Sequence, residues 1–79
     1  MKSKLYTIDD CVICKRVKGL IIAQNLQIEI INANEFQIEV LREKGLRSFP
    51  VLKIDEEKYL SGKEAGEYLA TNLERLKKK

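Results

Sequence analysis

Residues 6–14 read Tyr6-Thr7-Ile8-Asp9-Asp10-Cys11-Val12-Ile13-Cys14, and this stretch decides the fold. Strand-forming side chains alternate over residues 4–8, which predicts a first β-strand that ends at the two aspartates. Apolar residues at helical spacing follow the cysteines as far as Asn25, which predicts a first α-helix. The cysteine pair therefore lies where the first strand passes into the first helix.

The middle of the chain predicts a second strand and a second helix. Three isoleucines fall within residues 27–33, which are typical of a strand. Asn34 with Gln37 three positions later has the spacing of a capping box, and Gly45 suits the residue that ends a helix. We therefore expect a helix between Asn34 and Gly45.

The second half predicts a hairpin and a final helix. Pro50 should open a strand over residues 51–54, because proline cannot donate a hydrogen bond to a central ladder. A polar turn joins that strand to a short one over residues 58–60. Residues 61–64, Ser61-Gly62-Lys63-Glu64, have capping-box spacing and predict the start of a helix whose apolar face reaches Leu76.

These elements predict a single α/β domain over residues 1–79 with the order βαβαββα. The first strand–helix–strand unit should be a right-handed crossover with parallel strands, and the later strand pair an antiparallel hairpin. The expected architecture is a four-stranded mixed sheet flanked by three helices, with helices on both faces. Four aromatic side chains are expected in the core or at its edge. They are Tyr6, Phe36, Tyr59 and Tyr68.

Composition narrows the functional class. The 79 residues are 44% apolar and 34% charged, which is typical of one globular domain and argues against disorder. No apolar run approaches the length of a membrane span or a signal peptide, so we expect a cytoplasmic protein. The net charge of +3 owes much to Lys77-Lys78-Lys79, a solvated helix end without the aromatic pattern of nucleic-acid binding.

The two cysteines point to thiol chemistry. A helix start offers unpaired N–H groups and partial positive charge, and such positions lower a cysteine pKa to ~3.5–7.5. Cys11 is therefore the expected nucleophile. Cys14 lies one turn later, beside it, and is the expected resolving thiol. Three basic residues after the pair favour negative charge nearby, whereas the two acidic residues before it oppose that charge. They are Lys15, Arg16 and Lys18, and Asp9 and Asp10, respectively.

Two other classes of function compete with this interpretation. A structural zinc site needs four ligands, and the chain supplies two cysteines and no histidine, so no metal ligands are assigned. The second alternative is a binding module that keeps the fold without catalysis. An apolar patch of Val12, Ile13 and Phe49 around the cysteines is the expected face for a protein partner.

The sequence resembles a glutaredoxin, within the thioredoxin-fold superfamily. The resemblance rests on residues 6–14, on Arg47-Ser48-Phe49-Pro50 and on residues 61–64. It implies a cis peptide bond between Phe49 and Pro50, with the proline packed against the active disulfide. It also implies that the backbone of Phe49 pairs with an incoming peptide or with glutathione. The implied activity is dithiol–disulfide exchange that supplies electrons for cell redox homeostasis.

The chain departs from the usual glutaredoxin pattern at several positions. Ile8 and Ile13 replace a lysine and a tyrosine of the family's active site. Residues 61–64 replace the Gly-Gly-x-Asp segment that holds the glutamyl end of glutathione in the family. Glu64 is the candidate substitute for the aspartate, and Lys15 or Arg47 for the missing positive charge. The candidate substrate-binding set is Val12, Ile13, Lys15, Arg47, Phe49, Pro50, Gly62, Lys63 and Glu64.

The sequence is also similar to the glutaredoxin-like hydrogen donors of ribonucleotide reductase. Those proteins have a Cys-Val-x-Cys centre and a Ser-Gly pair, as this chain has at residues 11–14 and at Ser61-Gly62. In that group the reductant is thioredoxin reductase, so glutathione as co-substrate and thioredoxin reductase as partner remain alternatives. An iron–sulfur cluster shared between two chains is a further alternative. We expect no tightly bound cofactor and a monomer.

Overall fold

The computed structural model describes residues 3–77, which form four strands and four helical segments. The strands are β1 (Ser3–Thr7), β2 (Ile28–Asn32), β3 (Val51–Lys53) and β4 (Tyr59–Ser61). The helices are α1 (Val12–Ala23), α2 (Glu35–Glu43), α3 (Lys63–Thr71) and α4 (Leu73–Leu76). This confirms the predicted order of elements up to the last helix, which is divided in two. The first two residues, and Lys78 and Lys79 of the basic tail, lie outside the described residues.

The sheet has the strand order β2-β1-β3-β4, and β1 is central. β1 pairs in parallel with β2, as a β-α-β crossover requires, and antiparallel with β3. β3 and β4 form the antiparallel hairpin. Leu5 lies opposite both Ile30 and Leu52, and Leu52 lies opposite Leu60, so these four side chains share one face. The predicted mixed four-stranded sheet is confirmed.

The main core lies on that face of the sheet. Leu5 and Leu52 are fully buried there against Val17 of α1 and Leu69 of α3. Burying one such leucine contributes about 1.5–3 kcal/mol. The full buried cluster is Leu5, Val17, Ile21, Leu26, Ile28, Leu52, Ala65 and Leu69.

Two further buried apolar residues, one on β3 and one on α2, lie outside the main cluster. Val51 follows the strand alternation away from Leu52 and is fully buried, and Leu41 of α2 is buried without belonging to the main cluster. The predicted capping box of α2 is confirmed. The Gln37 backbone N–H donates to the Asn34 side chain at 2.8 Å, and the Asn34 N–H donates to the Gln37 side chain at 2.9 Å.

The prediction of one continuous last helix was wrong, because Asn72 interrupts it. The Asn72 side-chain amide donates to the Tyr68 carbonyl at 2.8 Å, and Asn72 has φ −121°, outside helical geometry. A side chain that occupies the carbonyl one turn earlier competes with the helix's own bond there. α4 then turns back to the start of β2, where the Gln27 N–H donates to Leu76 and Leu26 pairs with Lys77.

The aromatic side chains divide between core edge and surface. Tyr6, Tyr59 and Tyr68 are half-buried, which confirms their predicted place at the core edge. The prediction for Phe36 was wrong, since this ring is 75% exposed on α2. Membrane crossing by a helix requires about 20 apolar residues, and none of the helices in the described part of the chain meets that requirement.

Candidate active site

The turn between β1 and α1 delivers Cys11 to the start of the helix. Asp10 has φ +58°, in the left-handed region that aspartate tolerates better than most residues. The chain then returns to extended geometry at Cys11, which is the N-cap residue of α1 with φ −112°. The strand therefore ends at the carboxyl edge of the sheet, and the first sulfur emerges at the positive end of a helix.

The Cys11 sulfur takes the place that a serine or aspartate oxygen takes at other helix starts. It accepts the Cys14 backbone N–H at 3.2 Å, which satisfies one of the unpaired donors of the first turn. The Cys11 thiol also donates to the Phe49 carbonyl at 3.7 Å, a long bond of the kind sulfur makes. Cys11 is partly exposed, in contrast to the buried Cys14.

Cys14 has the opposite environment. It is 1% exposed and lies on the buried side of α1. Burial and, to a smaller extent, the adjacent Cys11 side chain together raise the pKa of the Cys14 thiol to about 11, against lowering effects from the Ile8 backbone and the Lys18 charge. Cys14 is therefore a protonated thiol at neutral pH, protected from solvent and next to Cys11.

A loop from the far side of the sheet completes the surroundings of Cys11. The peptide bond between Phe49 and Pro50 is cis, as the resemblance implied, and Pro50 is buried. The Pro50 carbonyl accepts the Gly62 N–H at 2.8 Å, which ties this loop to the start of α3. Phe49 is half-buried, whereas Val12 is 66% and Ile13 48% exposed. The predicted apolar patch is thus open to solvent at the two helix positions.

An open groove of about 520 Å³ runs beside the patch. Five of the predicted substrate-binding residues line it, together with two serines that sequence reasoning missed. The lining residues are Ile13, Ser48, Phe49, Ser61, Gly62, Lys63 and Glu64. Ser48 and Ser61 stand within the segments that carry the resemblance, and their neighbours in the chain are the only signal for them. Lys15 and Arg47 are exposed and do not line the groove.

The predicted capping box at residues 61–64 is wrong. Ser61 pairs with Val51 as the last residue of β4, so α3 begins one residue later, with Gly62 as its N-cap and no side-chain cap bond. Gly62 has φ +56°, and a Cβ added there would lie 3.1 Å from the Ser48 Cβ. Glycine is therefore required for the close approach of α3 to the loop before Pro50. Glu64 is exposed at the groove instead of bonded into a cap.

The possible metal ligands in the described part of the chain are scattered. Among residues 3–77, histidine, cysteine, aspartate and glutamate side chains do not come together in a group of three or more. Cys11 and Cys14 are free thiols that form no disulfide bond. The site that the fold assembles therefore consists of two thiols, a helix start, a cis-proline loop and an open groove.

Comparisons with known proteins agree with this geometry. A search of the curated proteins gave no match. Among solved structures, the chain is similar to the glutaredoxin-like protein NrdH-redoxin from Escherichia coli, described as having a thioredoxin-like activity profile. The two share 28% sequence identity and a TM-score of 0.71, over 100% of this chain and 99% of the other. That likeness confirms the thioredoxin-like fold. The glutaredoxin family model matches residues 4–59, so the chain belongs to the glutaredoxin family.

Proposed function

We propose that the protein is a dithiol–disulfide oxidoreductase that reduces protein or small-molecule disulfides through Cys11 and Cys14. The observation that carries this proposal is the asymmetry of the two sulfurs. Cys11 is accessible and accepts an N–H at the helix start, at 3.2 Å, whereas Cys14 is buried and held as a thiol. Only a thiolate attacks a disulfide, and hydrogen bonds from helix N–H groups stabilise that form.

The reaction takes two exchanges. First, the Cys11 thiolate bonds to one sulfur of the substrate disulfide, the substrate S–S bond breaks, and the departing sulfur leaves as a thiolate. Second, Cys14 gives up its proton and bonds to the Cys11 sulfur, which breaks the mixed disulfide and releases the second substrate sulfur. The protein loses two electrons and two protons between dithiol and disulfide: the Cys11 proton goes to solvent when the thiolate forms, and the Cys14 proton leaves in the second exchange. The substrate gains two electrons and takes up two protons as its thiolates are protonated.

Burial fixes the order of these steps. A side chain that is 1% exposed cannot meet a disulfide of another protein, so Cys14 reacts only after Cys11 has formed the mixed disulfide. Ile13 and Phe49 lie beside the groove and supply apolar contact to the substrate chain. By its resemblance to the family, the backbone of Phe49 pairs with that chain, and Gly62, Lys63 and Glu64 contact it from the start of α3.

Serine variants of the two cysteines test the mechanism. The reduced protein is mixed anaerobically with insulin, and loss of the insulin disulfides is followed in a single turnover. Cys11→Ser should abolish reduction, because a serine hydroxyl is a far weaker nucleophile at neutral pH. Cys14→Ser should stop at a mixed disulfide that intact-mass spectrometry detects. Full activity in Cys11→Ser, or a mixed disulfide formed at Cys14 in that variant, would refute the assignment.

A second candidate role is electron donor to ribonucleotide reductase, recharged by thioredoxin reductase. The likeness to NrdH-redoxin, described as glutaredoxin-like with a thioredoxin-like activity profile, favours it. The groove also favours it, since Ser61 and Glu64 stand where the family's glutathione-holding segment has glycine and aspartate. Glutathione as co-substrate is the competing proposal.

Parallel recharging assays separate the two reductants. Oxidised protein is incubated with thioredoxin reductase and its nicotinamide cofactor, or with glutathione and glutathione reductase, and cofactor oxidation is recorded. We expect turnover with thioredoxin reductase and little with glutathione. Equal or faster turnover with glutathione would contradict this role while leaving the dithiol mechanism intact.

We place this chemistry in the cytoplasm and in a monomer. A reducing compartment keeps a cysteine pair of this kind in the dithiol state between turnovers. The site also draws all of its described groups from one chain, so a partner copy is not needed to complete it. Sedimentation of the reduced protein at micromolar concentration tests the monomer, and fractionation of cells tests the compartment.

A further inference from the structure

Helix α1 carries an exposed stripe that begins beside Cys11 and runs away from it. An α-helix turns about 100° per residue, so six exposed residues of α1 fall within an arc of about 120°. They are Val12, Lys15, Arg16, Gly19, Ile22 and Ala23, and we call them the α1 stripe. The buried residues Cys14, Val17 and Ile21 lie on the opposite side of the helix. The α1 stripe is therefore the outer surface of the helix that bears the reactive thiol.

Apolar side chains mark both ends of the α1 stripe. Val12, next to Cys11, is 66% exposed, and Ile22 is 73% exposed. Ten residues separate them, which is about 15 Å along the helix axis. Ile22 is thus a large apolar side chain in solvent, and it lies outside the groove that Phe49 and Gly62 line.

Gly19 lies in the middle of the stripe, and nothing within the chain requires a glycine at this position. A Cβ added there would meet nothing within 4 Å, and the residue does not have the positive φ that demands glycine elsewhere. Glycine is also less favourable than alanine inside a helix. What Gly19 provides is a flat place where a second backbone can approach α1 closely.

The charges of the stripe are all of one sign. Lys15 and Arg16 lie between its apolar ends, Lys18 flanks it, and no Asp or Glu occurs in the sequence between Asp10 and Glu29. Among the residues that the structure describes, these three cations form no ion pair. The two acidic residues, Asp9 and Asp10, precede Cys11 and lie outside α1, so every charged side chain of the stripe is positive.

We propose that the α1 stripe docks an acidic segment of the protein whose disulfide Cys11 attacks. The inference rests on the proposed dithiol function, because the stripe is continuous with the reactive sulfur. Negative side chains of the partner would meet Lys15 and Arg16, its backbone would pass over Gly19, and an apolar side chain would cover Ile22. Charge complementarity of this kind acts mainly on the rate of encounter and on the choice of partner.

Two matched peptides test the proposal. Each contains the same disulfide-cyclised pair of cysteines with an eight-residue tail on either side, and the tails carry four Glu in one peptide and four Lys in the other. An extended tail of eight residues spans about 26 Å, enough to cover the stripe. Reduced protein is mixed with each peptide anaerobically, and second-order rate constants for disulfide loss are measured in single turnovers.

The expected result is a preference for the Glu peptide. At low salt the ratio of the two rate constants should be about tenfold, and it should approach one at about 1 M salt, where charges are screened beyond about 3 Å. Arg16→Glu should remove most of the ratio. Arg42→Glu, on the exposed part of α2, makes the same change in net charge and is the matched control that should keep the ratio.

Several outcomes would overturn the proposal. They are a ratio near one in the wild type, equal losses in Arg16→Glu and Arg42→Glu, and a wild-type dimer that Arg16→Glu converts to monomer. The last would show that a second copy covers the stripe. Gly19→Lys adds positive charge but fills the flat place, so it should slow the Glu peptide, and a faster reaction would contradict close approach. If neither peptide is reduced at all, the dithiol function fails instead.

Discussion

Replacement of Gly62 by alanine tests how tightly the groove is built. The residue has φ +56° and ψ −127°, a conformation that alanine adopts only at a cost of about 1–3 kcal/mol. The new Cβ would also lie 3.1 Å from the Ser48 Cβ, so the loop before Pro50 must shift by a few tenths of an ångström. Overpacking of this kind costs about 1 kcal/mol or more. We expect Gly62→Ala to lower the free energy of unfolding by about 2–4 kcal/mol.

Gly45→Ala is the matched control for the backbone contribution. Gly45 also has positive φ, +87°, but a Cβ there would meet nothing within 4 Å. Its replacement should therefore cost about 1–2 kcal/mol, from the backbone alone. Urea unfolding of the reduced proteins measures both values, and a domain of this size has about 4–12 kcal/mol to lose.

A double-mutant cycle isolates the contact with Ser48. Ser48→Gly removes the Cβ that the new alanine would meet, so Ser48→Gly/Gly62→Ala should be more stable than the sum of the single changes implies, by about 1 kcal/mol. The reasoning is refuted if Gly62→Ala costs no more than Gly45→Ala and the coupling free energy is zero. In that case the start of α3 would not be held against the loop before Pro50.

Four further predictions have definite expected outcomes. The Cys14 pKa of about 11 lies above its ordinary value of 9.0, so between these pH values the folded, reduced protein keeps a proton that the unfolded chain releases. The stabilisation from this proton should be complete below pH 9, and the free energy of unfolding should fall by about 2–3 kcal/mol as the pH rises through 11. Urea unfolding should find a smaller decline in Cys14→Ala. Asn34→Ala removes the cap of α2 and should cost about 1 kcal/mol in urea unfolding. Gly19→Ala should raise the free energy of unfolding by up to about 1 kcal/mol, whereas a loss would reveal a contact at Gly19. Phe36→Ser should change it by less than about 0.5 kcal/mol, while Leu41→Ala should cost about 2–5 kcal/mol, and similar costs would contradict the exposure of Phe36.

The sequence was enough to predict the elements whose patterns agree with their tertiary surroundings. Alternation in β1, the apolar face of α1 and the Asn34–Gln37 capping box are local signals, and each element they predicted is present. The position of Cys11 at the start of α1 followed from the same signals. The cis bond before Pro50 did not, since it came from the family resemblance.

The capping box at Ser61 failed because a long-range interaction overrode a local pattern. Its spacing is the same as that of Asn34 and Gln37, but pairing with Val51 draws Ser61 into the sheet and moves the helix start to Gly62. Residues 61–64 contain no local sequence signal that predicts the pairing of Ser61 with Val51. The division of the last helix at Asn72 likewise depends on which carbonyl its side chain reaches.

The error at Phe36 is different, because the sequence contained the means to avoid it. Leu41 is the buried residue of α2, and Phe36 lies about 140° around the helix from it, well outside the face that packs on the sheet. The prediction judged the residue by its apolar character and not by its angle. The two serines of the groove, Ser48 and Ser61, needed the fold, since strands and loops distant in sequence bring them together.

The β-bridge between Leu26 and Lys77 holds the last described residue of the chain next to the start of β2. Leu26 precedes β2, which starts level with Ser3, while Cys11 follows the far end of β1. Five strand residues separate those two ends, about 17 Å of sheet. A dye or a sensor surface anchored at position 77 would therefore lie at the end of the sheet opposite Cys11 and leave its sulfur unobstructed.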